Sequence, residues 1–314
     1  MKQIIFIFAM IFLSGAASAQ TVSRSFEPAA EKQPASLVPA TAEKHVESKN
    51  YPAAVELNER AVEKINKEND YRSAIVLFRQ AIETMPDCLV CRYNLGRAYI
   101  QIKNYDEAIA IFRELVKTTP VPANRYFSLG EALSKKKLYA ESITFFQKAL
   151  AIEPNDPIAL CILSISLYYI KDYAQALKYV DDAIRLKPDL FQAHCNRGVT
   201  LHALNRHQDA LESLNRALTL KPDSAEVHSN LGAVLTELGK NKQAQKHLTE
   251  ALRLDPDYKY AIYNLAVNYL EQGKRLPARE NLNRLEIIDQ DLAEQLKKEF
   301  SRDYVINASQ ATPR

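Results

Sequence analysis

The sequence predicts an all-α fold in which seven copies of a helical hairpin follow one another and a last helix caps the array. Two observations support this prediction. The chain of 314 residues has only 7 glycines, and its apolar residues follow helical stripes with no competing strand signal. Prolines also recur every 34 residues without insertion or deletion, at Pro86, Pro120, Pro154, Pro188, Pro222 and Pro256.

Residues 1–19 have the pattern of a secretory signal peptide. An apolar run over residues 4–13 is too short to span a membrane, and Ala17 and Ala19 predict cleavage before Gln20. The residue directly after the cleavage point is Gln20 and not cysteine, so a lipoprotein is not expected. We expect a periplasmic or secreted protein with no integral membrane segment in the mature chain; an uncleaved signal that tethers the chain is the alternative.

Residues 20–54 predict a flexible linker rich in proline and alanine. Pro28, Pro34 and Pro39 interrupt any sustained apolar period. KNYPAAVELNERAV, which starts at Lys49 near the end of this segment and continues beyond it, loosely matches KNYDEAIAIFRELV from Lys103. This match suggests a half-repeat there.

The repeating unit is clearest in residues 225–258. Two apolar stripes with helical spacing run through Val227 and Leu231 and through Leu248 and Leu252. Gly239 between them suits a left-handed turn, and proline ends the second helix. The seven copies cover residues 55–88, 89–122, 123–156, 157–190, 191–224, 225–258 and 259–292.

Three positions of the unit recur most strictly. Position 8 is usually glycine, position 20 is alanine or serine, and position 24 is a large apolar residue. With a small residue also usual at position 27 and proline at 32, residues 55–292 resemble the tetratricopeptide repeat. The resemblance implies a right-handed α-solenoid, or superhelix, whose concave groove is lined by the first helix of each pair. It also implies binding of other proteins.

Residues 293–314 predict a capping helix and a loose tail. Leu292, Leu296 and Phe300 recur every four residues, so one apolar face could cover the end of the last repeat.

Composition and motifs argue against catalysis, cofactors and nucleic acid. A formal net charge of +3 is too small for a nucleic-acid footprint, and we expect the run from Lys135 to Lys137 to be a solvated cluster on a turn. Cys195 and His202 share a helix face but lie about 10 Å apart, too far for a nucleophile and its base. His194 and His228, both at position 4, are expected to be structural. We predict no enzyme, no cofactor and no metal site.

The cysteines divide into two pairs. Cys88 and Cys91 bracket the turn after Pro86, where a local disulfide or two idle thiols are favoured over redox or metal chemistry. Cys161 and Cys195 occupy position 5 of adjacent repeats and are expected to lie too far apart to bridge.

Two candidate partner-binding sets come from the first helices of the repeats. The fourth repeat has only apolar or aromatic residues at the positions that face the groove in the family: Ile158, Cys161, Ile162, Ile165, Tyr168 and Tyr169. We expect Tyr168 and Tyr169 to be exposed anchors for a partner; the alternative is that this helix is simply more buried. Position 6 carries amides that could hydrogen-bond to the main chain of an extended peptide: Asn94, Asn196, Asn230 and Asn264. The alternative is that asparagine is simply common at this position of the repeat.

The predicted function is a non-catalytic protein-interaction scaffold of the cell envelope. The alternative is an accessory or regulatory subunit of an envelope enzyme complex, for glycan assembly, proteolysis or secretion. The carboxylate clamp of chaperone-binding relatives is absent, because position 5 has no lysine and position 9 no asparagine in any copy.

Overall fold

A computed structural model describes residues 51–310. The signal peptide predicted over residues 1–19 and all but the last four residues of the predicted linker lie outside the described residues. Within the described part, fifteen α-helices occur and no strand, which confirms the all-α prediction. No helix in this part is both long enough and apolar enough to cross a bilayer.

Seven hairpins each consist of an A helix followed by a B helix. The A helices are α1 (Tyr51–Glu68), α3 (Leu89–Gln101), α5 (Ala123–Lys135), α7 (Pro157–Tyr169), α9 (Phe191–Ala203), α11 (Ala225–Glu237) and α13 (Lys259–Glu271). The B helices are α2 (Tyr71–Thr84), α4 (Tyr105–Leu115), α6 (Tyr139–Ile152), α8 (Tyr173–Leu186), α10 (His207–Leu220), α12 (Asn241–Leu254) and α14 (Arg275–Ile288). The last helix is α15 (Gln290–Gln310).

The helices keep the 34-residue register of the sequence. Every A helix after α1 begins at position 1 of its repeat, and every B helix begins at position 17. Helix α1 instead begins at Tyr51, so the end of the predicted linker is helical. The tail expected to be loose from Asn307 is likewise helical as far as Gln310.

The turn between the two helices of each hairpin contains one left-handed residue, always at position 15. Gly239 and Gly273 occupy it with φ of 69° and 71°. Five other residues take it with φ between 54° and 66°, namely Asn69, Lys103, Lys137, Lys171 and Asn205. The sequence predicted this turn only at the glycines, because lysine has no intrinsic preference for positive φ.

Contact between positions 8 and 24 joins the two helices of a hairpin. A Cβ atom added to Gly232 would lie 2.4 Å from Cγ of Leu248, and one added to Gly96 would lie 2.7 Å from Cζ of Phe112. Both large side chains are fully buried. The alternation of small and large residues in the sequence is therefore what lets the paired helices approach.

Two compact units divide the described chain, residues 51–166 and 167–310, with the boundary inside α7. The first unit has a core of stacked side chains that includes Phe78, Phe112 and Leu129. In the second unit, Leu214 and Leu231 belong to one such core. Its last helix, α15, packs against α13 and α14, with Leu292 and Leu296 buried and Phe300 half-buried.

Candidate protein-binding surface

The apolar residues of α7 are mostly buried within the chain itself. Cys161, Ile162 and Ile165 have exposed fractions of 3%, 4% and 7%, and Tyr168 has 9%. Ile158 and Tyr169 are half-buried. The expectation that Tyr168 is an exposed aromatic is therefore wrong, and the burial favours the alternative of a more buried helix. Partner binding at the six α7 positions stays a prediction, and exposure supports it best at Ile158 and Tyr169.

Two of the position-6 asparagines donate a hydrogen bond to the preceding A helix. Nδ2 of Asn94 donates to Oδ1 of Asn58 at 2.9 Å, and Nδ2 of Asn264 donates to Oγ of Ser229 at 3.2 Å. Asn196 and Asn230 are buried, with exposed fractions of 6% and 5%. These contacts give the column a structural role, and peptide binding by these amides stays a prediction.

One donor and one acceptor in this column have no protein partner. Nδ2 of Asn230 and Oδ1 of Asn264 are buried and make no hydrogen bond. Each has less than 1 Å² of exposed surface, so a peptide could reach it only if the neighbouring helices moved.

The histidines pair with main-chain carbonyls or with each other. Nε2 of His194 lies 2.8 Å from the carbonyl oxygen of Pro188, and Nε2 of His228 lies 3.2 Å from that of Pro222. These contacts tie position 4 to the preceding repeat, in agreement with the structural role expected for both residues. No group of three or more metal-ligating side chains occurs in the described residues.

A pair of histidines lies between α9 and α10. Nδ1 of His202 is 3.0 Å from Nδ1 of His207. Burial, reinforced by the neighbouring His207, lowers the pKa of His202 to about 3, so the imidazole is neutral at pH 7.

The first cysteine pair is a disulfide at the start of α3. Its Cα atoms are 5.3 Å apart, and both residues are buried beside Ala81 and Met85. Cys161 and Cys195 are buried thiols outside this bridge.

Polar and aromatic side chains from A helices and from the starts of B helices lie close together in the first unit. They comprise Tyr71 and Tyr105 at position 17, Arg97 and Glu131 at position 9, and Lys135 at position 13. We call these five residues the Arg97 surface. Nη1 of Arg97 donates to Oε2 of Glu131 from the next repeat, and the Arg97 side chain remains 34% exposed.

The two tyrosines lie beside this ion pair. Burial raises the pKa of Tyr71, which is close enough to Arg97 to feel its charge, and it raises the pKa of Tyr105, which feels the charge of Glu131. Both hydroxyls therefore keep their protons at neutral pH and can donate a hydrogen bond.

The run of three lysines does not form one solvated cluster. Lys135 is the last residue of α5 and is half-buried, and burial lowers its pKa to about 8. Lys136 is exposed and pairs with Asp106, while Lys137 is the left-handed turn residue. The expectation of a purely solvated cluster is wrong for Lys135, because the helix extends through it.

The position-17 tyrosines were missed by the sequence reasoning. They recur in register at Tyr71, Tyr105, Tyr139 and Tyr173, and each begins a B helix. The signal was present in the 34-residue alignment of the copies. The resemblance to the family implies a groove lined by the first helix of each pair, whereas position 17 begins the second helix.

Family models now give the class of the fold. Models described as the tetratricopeptide repeat match residues 66–133, 123–156 and 225–258, and one described as a TPR repeat matches residues 200–239. The chain therefore contains tetratricopeptide repeats. A comparison with curated proteins finds no match.

Solved structures with the same helical repeat support this class. A tetratricopeptide repeat protein from Parabacteroides merdae aligns with a TM-score of 0.67 at 13% identity, covering 79% of this chain and 98% of that chain. The Cut9–Hcn1 hetero-tetramer of APC/C aligns at 0.59 and 17%, covering 70% and 46%. A thermophilic TPR protein of Thermus thermophilus aligns at 0.51 and 25%, covering 56% and 97%. These likenesses confirm the all-α helical repeat fold.

Proposed function

We propose that this protein is a non-catalytic scaffold of the cell envelope that holds a segment of a partner protein against its A helices. The observation that carries the proposal is the Arg97 surface. It combines partly exposed tyrosines with a partly exposed arginine, and these residue types concentrate the free energy of protein–protein binding.

The tetratricopeptide repeat supports the same conclusion, because repeat arrays of this kind present extended surfaces for binding. The location in the envelope rests on the signal peptide predicted from residues 1–19.

Site-specific photo-crosslinking tests the proposal. A photoreactive phenylalanine analogue replaces Tyr105 on the Arg97 surface or, as a matched control, the exposed Gln147 on helix α6. Irradiation of intact cells should give a reproducible crosslinked protein from position 105 and not from position 147. Mass spectrometry then identifies the partner, and fractionation of the same cells locates the complex.

Either of two outcomes would contradict the proposal. Crosslinks from position 147 alone would place binding on another side of the molecule. Recovery of the complex only from the cytoplasm would contradict the envelope location.

A further inference from the structure

Three cationic side chains lie close to one another at the Arg97 surface. Arg97 is paired with the carboxylate of Glu131, Lys135 lies beside this pair, and Lys103 is in the adjoining turn. Arg97 and Lys103 repel Lys135, and Glu131 attracts it. The nearby carboxylate of Asp106 is paired with Lys136 instead.

The arginine retains donors for a second anion. A guanidinium carries five N–H groups, and the hydrogen bond to Glu131 uses Nη1. The Arg97 side chain is 34% exposed, so part of it is open to a ligand. Glu131 is 4% exposed, so an incoming chain meets the cations rather than this carboxylate.

The tyrosines make the surface suitable for a peptide rather than a bare ion. Tyr71 and Tyr105 occupy the same position of successive repeats, and each has a protonated hydroxyl. Tyr71 lies near Arg97 and Tyr105 near Glu131, so there is one tyrosine beside each member of the ion pair. Equivalent residues of packed neighbouring repeats lie roughly 10 Å apart, which an extended peptide covers with about three residues. A peptide can therefore contact both rings and place one side chain between them.

We propose that the Arg97 surface recognises an Asp or Glu side chain on an extended segment of the partner, using N–H donors of Arg97 and the positive charge of Lys135. This inference rests on the proposed function and names the chemistry of the bound segment. The residues lie at positions 9, 13 and 17, so the mode differs from the chaperone-type clamp whose residues this chain lacks.

Selection from a random peptide library displayed on phage tests the inference with the full mature chain. We compare the wild type with Lys135→Gln and with the matched control Lys136→Gln. Both variants remove one positive charge, from adjacent residues, but only Lys135 belongs to the Arg97 surface. Arg97 is left intact, because its loss would leave Glu131 buried without its partner.

We expect peptides selected on the wild type to be enriched in Asp and Glu. Synthetic versions should bind about tenfold more weakly to Lys135→Gln, the loss typical of removing one charged contact, and within twofold of wild type to Lys136→Gln. Replacing the selected acidic residue by its amide should have the same effect as Lys135→Gln, and the two changes together should add little.

Three results would overturn the inference. If the selected peptides bind but are not enriched in Asp or Glu, the proposal of peptide binding stands and the proposed preference for a carboxylate is wrong. Equal losses for Lys135→Gln and Lys136→Gln would mean that net charge, and not this surface, attracts the peptides. A library that yields no binders at all would count against the proposed function as well. Circular dichroism of each variant shows whether the helices are retained.

Discussion

Replacing Gly232 by alanine tests whether close contact between positions 8 and 24 holds a hairpin together. The added Cβ would lie 2.4 Å from Cγ, 2.7 Å from Cδ2 and 3.1 Å from Cδ1 of Leu248. Leu248 is fully buried, so it cannot move into solvent. Overpacking of this kind lowers the free energy of unfolding by about 1 to 3 kcal/mol, and the better helix propensity of alanine offsets about 1 kcal/mol. We therefore expect a net loss of up to about 2 kcal/mol.

Urea unfolding followed by circular dichroism measures this loss. The same substitution at a second glycine of position 8 shows whether the loss depends on how close the added Cβ lies to its neighbour. At Gly130 the nearest atom to an added Cβ is 3.1 Å away, on Phe146, so Gly130→Ala should lose less than Gly232→Ala. Repeat seven shows that the pair can adapt, because Ala266 replaces the glycine there and its partner Leu282 is slightly exposed, at 8%.

A double-mutant cycle decides whether Leu248 causes the loss. Leu248→Val shortens the side chain that the new Cβ would meet, so it should destabilise the Gly232→Ala background less than it destabilises the wild type. An unfolding free energy that rises in Gly232→Ala, or a cycle with no coupling, would refute this account of the hairpin contact.

Three further predictions concern the disulfide, the buried histidine and α7. Denatured, unreduced protein should contain two reactive thiols, from Cys161 and Cys195, and four after reduction; four before reduction would exclude the Cys88–Cys91 bridge. Burial lowers the pKa of His202 to about 3, from about 6.5 in the unfolded chain. The contribution of neutral His202 to the free energy of unfolding is therefore complete above pH 6.5 and is lost as pH falls towards 3. Between pH 7 and pH 5 the wild type should lose about 2 kcal/mol more unfolding free energy than His202→Gln, and parallel losses in urea titrations would contradict this reasoning. Tyr169→Ala should weaken partner binding with little change in melting temperature. Tyr168→Ala removes a buried ring and should lower the melting temperature. Unchanged partner affinity in Tyr169→Ala would contradict the hypothesis that α7 binds the partner.

Periodicity was enough to predict the hairpins. The 34-residue spacing reveals small residues at positions 8 and 20 and a large residue at position 24, but the contact of Gly232 with Leu248 is known only from the structure. The left-handed turn at Lys103, Lys137 and Lys171 did not follow, because the surrounding helices impose that backbone on residues that do not favour it.

The candidate site was predicted less well, since burial depends on neighbours that a single repeat does not contain. Tyr168 looked like an exposed anchor from its position, but the chain itself buries it. Lys135 looked like one of three equivalent lysines. In the structure it is partly buried and lies near Glu131, one turn earlier on the same helix, and near Arg97 of the preceding repeat. Sequence patterns fix which residues share a face; they do not say what covers it.

Hydrogen–deuterium exchange tests the central claim most directly. Exchange is measured on the purified chain alone and with the purified partner that crosslinking has identified. If a partner segment lies against the A helices, peptides spanning α3 and α5 should exchange more slowly in the complex. Exchange in α6, and in α4 beyond the first turn that contains Tyr105, should change little. Protection confined to B helices, or no protection at saturating partner, would contradict the claim that the A helices form the binding surface.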